Sequence, residues 1–180
     1  MIVLFKGQRL IDRFVLLEPL AQGGRFEIWR ALQINRLLRA DSTVTVDEMR
    51  GFHTNPGSVR ADLLVPALVA AAQARIAAGD TSRSLKAAEA LLSSWDRQYT
   101  RVNTGARLFE TAVGQTTARL YDEFIPAKSQ TRVVTPSESR LLQLLADSAN
   151  AWWDDRRTSD VREDRNVILA QALRAAYDTL

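Results

Sequence analysis

Apolar residues recur along most of this chain at intervals of three and four residues, and turn-forming residues separate the segments in which they do so. Residues 25–39, RFEIWRALQINRLLR, and residues 104–125 show the pattern best, each with a broad apolar stripe. No segment alternates apolar and polar residues over a strand length, apart from the marginal TRVVT at 131–135. The pattern predicts an all-α protein, an irregular bundle of about seven helices that forms a single helical domain over residues 1–180.

The first segment, QRLIDRFVLLEPL at residues 8–20, also shows helical spacing of its apolar residues. Pro19 favours an end or a kink near its own position, because proline has no backbone N–H with which to continue a helix. The glycines of QGG at 22–24 separate this segment from the next one. Residues 1–24 are therefore predicted to form an N-terminal helix and a linker.

Two helices are predicted from their terminal residues. TVDE at 45–48 fits a capping box and predicts a short helix from Val46 to about His53. Ser58 opens a longer run rich in alanine and leucine, and Gly79 is suited to the position after its last turn. Pro66 falls inside that run, which predicts a kink or a start nearer Asp62.

Three more helices are predicted after Gly79, besides the one at 104–125. Thr81 or Ser82 is suited to cap the first of them. TPSE at 135–138 has the cap, proline and glutamate with which the second would start. The last helix is predicted from about Glu163 to Leu180. The apolar face of the first of the three comprises Leu85, Ala88, Leu92 and Trp95.

NAWWDDRRTSD, residues 150–160, separates the last two helices. Its two tryptophans are predicted to fill the crevice between those helices, since a pair of large aromatic side chains between apolar segments is typical of core packing. Thr158 or Ser159 and Asp160 are predicted to cap the last helix.

The composition excludes several classes of site and partner. The 24 basic and 21 acidic residues alternate, so a net charge of +3 comes without the run of like charges that nucleic-acid binding would suggest. There is no cysteine, which excludes disulfides, thiolate metal sites and cysteine nucleophiles. MIVLF, the longest apolar run near the start, is far shorter than the ~20 residues of a membrane span. We expect neither nucleic acid nor a membrane as a partner.

Catalytic signatures of the common kinds are also missing. His53 is the single imidazole and stands at a predicted helix end, which favours a capping or surface role. No G-x-S-x-G string occurs, and AQGGRF lacks the preceding strand and the lysine of a phosphate-binding loop.

The densest acidic group is the best candidate for a metal site on composition. Arginines are interleaved with these carboxylates, so we predict ion pairing and capping in place of metal binding. We therefore predict no catalytic, cofactor-binding or metal-binding residue in this chain. The acidic residues are Asp154, Asp155, Asp160, Glu163 and Asp164, and the arginines are Arg156, Arg157, Arg162 and Arg165.

Three stretches, taken in order, carry a family resemblance: TVDEMRGFHTNPGSVRADLLVPAL (45–68), LLSSWDRQYTRVNTGARLFE (91–110) and NAWWDDRRTSDVREDRNVILAQAL (150–173). They resemble the β chain of the penicillin amidase (penicillin acylase) family of N-terminal-nucleophile hydrolases, and residues 25–180 form the resembling helical region. The residues that fall in the places of the family's motifs are Thr45, Met49, Ser58, Ala61, Pro66, Trp95, Asp96, Ala106, Phe109, Trp152, Trp153, Asp154, Asp155 and Thr158.

Two positions depart from the family's pattern. Arg97 stands where the family usually has glycine after Trp-Asp, and Asn55 stands where aspartate is common. Both positions lie in predicted loops, so the departures concern local turn geometry.

The resemblance implies a parent hydrolase that cleaves linear amides, such as a β-lactam side chain or an N-acyl-homoserine lactone. Such enzymes use an N-terminal serine whose α-amine is the base, and an asparagine that stabilises the oxyanion. Neither can be placed here, since the first residue is Met1 and no NWNN-like string occurs. By the order of its motifs the chain corresponds to the helical middle of a β chain, which would pack on an αββα core that it lacks. We expect no catalysis by this chain alone.

The resemblance also sets expectations for partners. The remainder of the acylase polypeptide, its α chain and β-chain core, would cover an apolar face, for which Trp29, Phe26 and the MIVLF at 1–5 are candidates. Self-association through that face is a further expectation. The family often binds calcium outside this segment, so no cofactor is expected in this chain. The family is commonly periplasmic or secreted, whereas no signal peptide is recognised here.

A second interpretation belongs to another class, a free-standing ligand-binding or regulatory module of the TetR type. Residues 8–39 would then form a helix-turn-helix, with two helices joined by a glycine turn. Its second helix, however, offers Phe26, Ile28 and Trp29 where a recognition helix needs polar side chains.

Overall fold

Seven α-helices make up most of the described chain. A computed structural model describes residues 9–11, 14–15, 25–41, 43–121, 138–155, 158 and 162–180. The predicted all-α class is confirmed within these residues. The helices are α1 (Arg25–Ala40), α2 (Val46–Thr54), α3 (Val59–Ala77), α4 (Arg83–Ser94), α5 (Thr104–Tyr121), α6 (Glu138–Leu145) and α7 (Arg165–Asp178), with a 3-10 turn at Ala151–Trp153.

Two short strands precede the helices. β1 (Arg9–Ile11) and β2 (Phe14–Val15) pair antiparallel. The predicted helix is therefore wrong at residues 9–11 and 14–15, and the helix-turn-helix interpretation of residues 8–39, which needs that helix, is wrong with it. The other residues between 8 and 20 lie outside the described residues. Apolar spacing over so short a segment does not separate helix from strand, because valine, isoleucine and phenylalanine also suit a pleated surface.

Contacts divide the chain into two compact units, where the sequence predicted a single helical domain over residues 1–180. The first unit comprises Met1–Arg60 and Gln98–Thr100, and the second comprises Ala61–Arg97 and Arg101–Leu180. In the first unit, α1 contacts both α2 and β1.

The second unit contains the hydrophobic core. Its largest helix contact joins α5 to α7, and α4 packs against both of these helices. Alanine alternates with larger residues along the contacts, which lets helix backbones approach closely. The largest fully buried side chains are Trp153, Phe109, Leu85, Leu92, Leu108, Leu144, Leu169, Leu173, Val65 and Thr116.

The predicted capping box at the start of α2 is confirmed. The Thr45 hydroxyl accepts from the Glu48 backbone N–H at 3.3 Å, and the Glu48 carboxylate accepts from the Thr45 backbone N–H at 2.7 Å. Two N–H groups that the first turn leaves without helical partners are thereby satisfied. The helix begins at Val46, as predicted.

The long helix α3 begins earlier and ends as expected. It starts at Val59, so a start near Asp62 is wrong, and it contains Pro66 at the cost of the hydrogen bond that a proline cannot donate. Gly79 has a φ of 99°, in the left-handed region. The Asp80 backbone N–H bonds to the Arg75 carbonyl at 3.0 Å, which completes the glycine-terminated end of the helix.

The caps of the remaining helices agree only in part with the prediction. Ser82 caps α4, since its side chain accepts from the Leu85 backbone N–H at 3.2 Å. The predicted cap at 135–137 lies outside the described residues. The cap of α7 is Asp164, whose side chain accepts from the Val167 backbone N–H at 2.9 Å, so a cap at residues 158–160 is wrong.

Candidate functional site

Asn55 organises the turn between α2 and α3. Its Oδ1 accepts from the Gly57 backbone N–H at 2.8 Å and from Gln33 Nε2 at 3.2 Å. Both partners donate, so a carboxylate at this position would accept the same two bonds. Asparagine can therefore replace the aspartate that is common in the family without changing the turn. The other amide atom of Gln33, Oε1, is buried without a hydrogen-bond partner in the described part of the chain.

Gly57, in the same turn, lies against the side-chain amides of Asn55 and Gln33. A Cβ there would lie 2.8 Å from two side-chain atoms of the turn. Gly57 forms an antiparallel bridge with Gln98, and the Tyr99 backbone N–H donates to the Pro56 carbonyl at 2.8 Å. Backbone hydrogen bonds thus hold residues of the first family-like stretch to residues of the second.

Arg97 occupies a backbone conformation that favours glycine. Its φ is 62°, in the left-handed region, where a side chain costs about 1–2 kcal/mol. The glycine of the family pattern at this place is explained by that geometry. Arg97 Nη1 lies 3.2 Å from Asp62 Oδ1, in an ion pair whose side chains are both partly exposed. Such a pair stabilises the folded protein by only about 0–1 kcal/mol, which does not fully offset the backbone strain.

Replacing Arg97 with glycine and with alanine separates these two contributions. Both variants lose the ion pair with Asp62, but only glycine relieves the backbone strain. We expect Arg97→Gly to be more stable than Arg97→Ala by about 1 kcal/mol. Urea unfolding followed by far-UV circular dichroism measures the difference. Equal stability of the two variants would contradict a left-handed Arg97.

Trp95 lies directly over the first turn of α5. A Cβ on Gly105 would meet Trp95 Cγ at 2.6 Å. The Trp95 ring also contacts Phe109, with ring centroids 5.6 Å apart. The tryptophan and phenylalanine of the second family-like stretch are thus core residues that join the 95–103 loop to α5.

In the third stretch, Trp153 is buried and anchored. Its side chain is 1% exposed, and its Nε1–H donates to the Asp147 carbonyl at 2.9 Å. Asn150 begins the short turn by accepting from the Trp152 backbone N–H at 3.2 Å. The predicted packing role holds for Trp153, whereas Trp152 is 38% exposed.

Two carboxylates of this stretch, those of Asp154 and Asp164, bind backbone groups. Asp154 Oδ1 accepts from the Glu163 backbone N–H at 3.1 Å, and Asp164 caps α7. The Thr158 hydroxyl lies 3.1 Å from both carboxylate oxygens of Glu163. Asp160 lies outside the described residues, as do Arg156 and Arg157. Within the described ranges, no group of three or more histidine or carboxylate side chains could hold a metal ion.

Two structural residues had no local signal in the sequence. Arg165 Nη1 donates to the Leu145 carbonyl at 2.6 Å and thereby ties the start of α7 to the end of α6. Gln33 reaches Asn55 from 22 residues away. Neither contact follows from a spacing rule, because each joins elements that are distant in sequence. His53, at the end of α2, is exposed.

The hydroxyl of Tyr121 is buried. The residue is 3% exposed, and the hydroxyl has no hydrogen-bond partner among the described residues. Burial raises the pKa of the Tyr121 phenol, and the positive charge of Arg140 partly opposes this. The ring packs edge-on against Trp152, with centroids 5.9 Å apart.

We expect Tyr121→Phe to stabilise the protein by about 1 kcal/mol, because it removes a buried polar group for which the described residues supply no partner. The raised pKa of Tyr121 means that the wild type also loses stability as the pH rises above about 10, where the unfolded phenol ionises first. Tyr121→Phe lacks that loss. Urea unfolding at neutral and alkaline pH tests both effects.

Tyr177→Phe serves as the matched control, because Tyr177 is only half-buried. It should leave stability at neutral pH unchanged. A destabilised Tyr121→Phe would show that the hydroxyl has a partner.

The apolar face expected at the N-terminal side is only partly observable. Trp29 is half-buried, while the Phe26 side chain and residues 1–5 lie outside the described residues. That face stays a prediction. Large apolar side chains that are exposed elsewhere are Val46, Leu63, Tyr99, Val102, Trp152 and Leu180. Among the described helices, none is both long and apolar enough to cross a membrane.

Comparison with known proteins identifies one family. The family model described as penicillin amidase matches residues 17–180 of the chain. No curated protein and no solved structure matches significantly.

Proposed function

Because the chain belongs to the penicillin amidase family, we propose that it is the helical part of an acylase-like hydrolase that cleaves linear amides. Its role would be to build and support the enzyme, with the reacting groups supplied by the remainder of the acylase polypeptide. The candidate substrates are a β-lactam side chain and an N-acyl-homoserine lactone.

The structural role is inferred from one observation, the hydrogen-bond partners of the polar residues in the family-like stretches. Asn55 and Asp154 accept from backbone N–H groups, and Asp164 caps a helix. Arg97 and Asp62 pair with each other. Polar side chains that hold loops and helix ends by such bonds have a structural role, and moving them to bind a substrate would break those bonds.

The chemistry of amide cleavage determines which reacting groups the rest of the enzyme has to contribute. A nucleophile, a base within hydrogen-bond reach of it and a donor for the oxyanion are all needed. The hydrolases that the chain resembles use an N-terminal serine, its α-amine and an asparagine. The α chain and the β-chain core of the acylase are therefore the proposed partners.

Activity measurements test the non-catalytic role directly. The purified chain is incubated with a phenylacetyl anilide and with a fatty-acyl anilide, both chromogenic. We expect no release of the aniline above that of a heat-killed control. Turnover that depends on the folded chain would contradict the proposal and would call for a nucleophile within these residues.

The partner proposal is tested by reading the coding sequence upstream of Met1. We expect an open frame that continues to a Gly-Ser junction and an asparagine-rich string. A start codon with its own ribosome-binding site at Met1 would contradict it and favour an independent module.

A further inference from the structure

A pocket of about 100 Å³ lies in the second unit. The end of α3, the start of α4 and the outer face of α7 line it. Its apolar wall is formed by Leu85 and Ala170, which belong to the core, and by Val167, which is half-buried. Its mouth is polar and exposed.

Two exposed arginines, Arg75 and Arg174, line the pocket. Neither side chain makes an ion pair or a hydrogen bond to another residue in the described part of the chain. The end of α3 is closed by backbone hydrogen bonds, from the Gly79 N–H to the Ile76 carbonyl and from the Asp80 N–H to the Arg75 carbonyl, each at 3.0 Å. The two guanidinium groups are therefore available to a ligand.

The pocket keeps a positive charge after its negative groups are counted. Asp80 also lines it, and one of its carboxylate oxygens accepts from the Ser82 backbone N–H at 2.9 Å. The C-terminal end of α3 adds roughly half a negative charge. Two guanidinium groups outweigh one carboxylate and this partial charge, so an anion is attracted.

We propose that this pocket binds a small carboxylate that carries a short apolar stem. The carboxylate contacts the guanidinium groups of Arg75 and Arg174, whose planar forks match a carboxylate in two-point hydrogen bonds. The stem lies on the apolar wall that Leu85 and Val167 provide. The amide of Gln171, also at the mouth, supplies a further donor. The same chemistry is offered by a free short-chain acid and by a glutamate side chain of another polypeptide.

Nuclear magnetic resonance titration of the ¹⁵N-labelled chain tests the proposal. Butyrate is the free acid, and an acetylated and amidated Ala-Glu-Ala peptide presents the same group on a polypeptide. Butyramide lacks the charge, and inorganic phosphate lacks the stem. We expect butyrate to shift the Nε–Hε signals of Arg75 and Arg174 and the amides of Asp80 and Gln171, with a Kd on the order of millimolar. Butyramide should shift them little because it has no charge, and phosphate should bind more weakly than butyrate because it makes no contact with the apolar wall.

Variants locate the binding. Arg75→Gln and Arg174→Gln should each weaken butyrate binding by about tenfold, because each removes one charged fork. Gln171→Glu should weaken it similarly by placing a like charge at the mouth. Arg107→Gln is the control, since Arg107 is exposed on α5 and does not line the pocket. It should bind butyrate as the wild type does.

The outcomes separate cleanly. Tighter binding of the peptide assigns the site to a glutamate of a partner chain, and tighter binding of butyrate assigns it to a free acid; both support the carboxylate pocket. Butyrate shifts that are absent, that persist in Arg75→Gln and Arg174→Gln, or that phosphate reproduces would overturn it. The substituted side chains are exposed, and unfolding curves confirm that each variant is folded.

Discussion

Replacing Trp153 with alanine should lower the free energy of unfolding by about 3–5 kcal/mol. The side chain is 1% exposed and is part of the core cluster formed with α5, α6 and α7. Its removal leaves a large cavity, and it also leaves the Asp147 carbonyl without the Nε1–H donor at 2.9 Å. Far-UV circular dichroism during urea unfolding measures the loss without depending on tryptophan emission.

Its neighbour provides the matched control. Trp152 is 38% exposed and its ring packs edge-on against Tyr121, so Trp152→Ala should cost about 1 kcal/mol. Trp153→Phe keeps most of the packing and loses the hydrogen bond, so it should fall between the two alanine variants. Equal losses for Trp152→Ala and Trp153→Ala would contradict the different placement of the two side chains.

Helix ends were predictable from the sequence where one short motif decides them. The Thr45 capping box, the glycine end at Gly79 and the Ser82 cap all depend on hydrogen bonds within a few residues. Side chain and backbone partner are then fixed by spacing alone. The cap of α7 was misplaced because several residues before Arg165 are suited to a cap. The choice of Asp164 depends on where tertiary contacts allow the helix to begin.

Elements whose form depends on distant partners were less predictable. The pairing of β1 with β2 was missed because apolar spacing over a few residues fits either form. The start of α3 at Val59 was misplaced because Pro66 suggests a break, although a helix can lose one hydrogen bond when its apolar face is buried. Packing supplies the energy that local propensity lacks.

The same distinction applies to the family-like stretches. Two of the acidic residues near Trp153, Asp154 and Asp164, accept from backbone N–H groups. The pairing with the interleaved arginines stays a prediction. The long-range contacts of Gln33 and Arg165 had no counterpart in the sequence pattern. Side chains that bond to the backbone a few residues away can be predicted from residue spacing. Contacts that join two elements distant in sequence cannot.

Gly105→Ala should destabilise the protein by about 3 kcal/mol or more, through overpacking. The new Cβ would lie 2.6 Å from Trp95 Cγ and 2.9 Å from Trp95 Cβ. Rotating the indole cannot relieve the second contact, since Trp95 Cβ is fixed to the backbone. Relief therefore requires the loop at Trp95 to move away from α5, which would also disturb the Trp95 contact with Phe109. Urea unfolding measures the loss.

Gly114 lies in the same helix and gives the opposite expectation. It is exposed, and a Cβ there would meet nothing within 4 Å. Gly114→Ala should therefore stabilise the protein by about 0.5–1 kcal/mol, because alanine loses less backbone entropy than glycine when a helix forms. The same substitution at two places in α5 should thus change stability in opposite directions. A stabilising Gly105→Ala would contradict the close contact with Trp95, since helix propensity alone favours alanine at both positions.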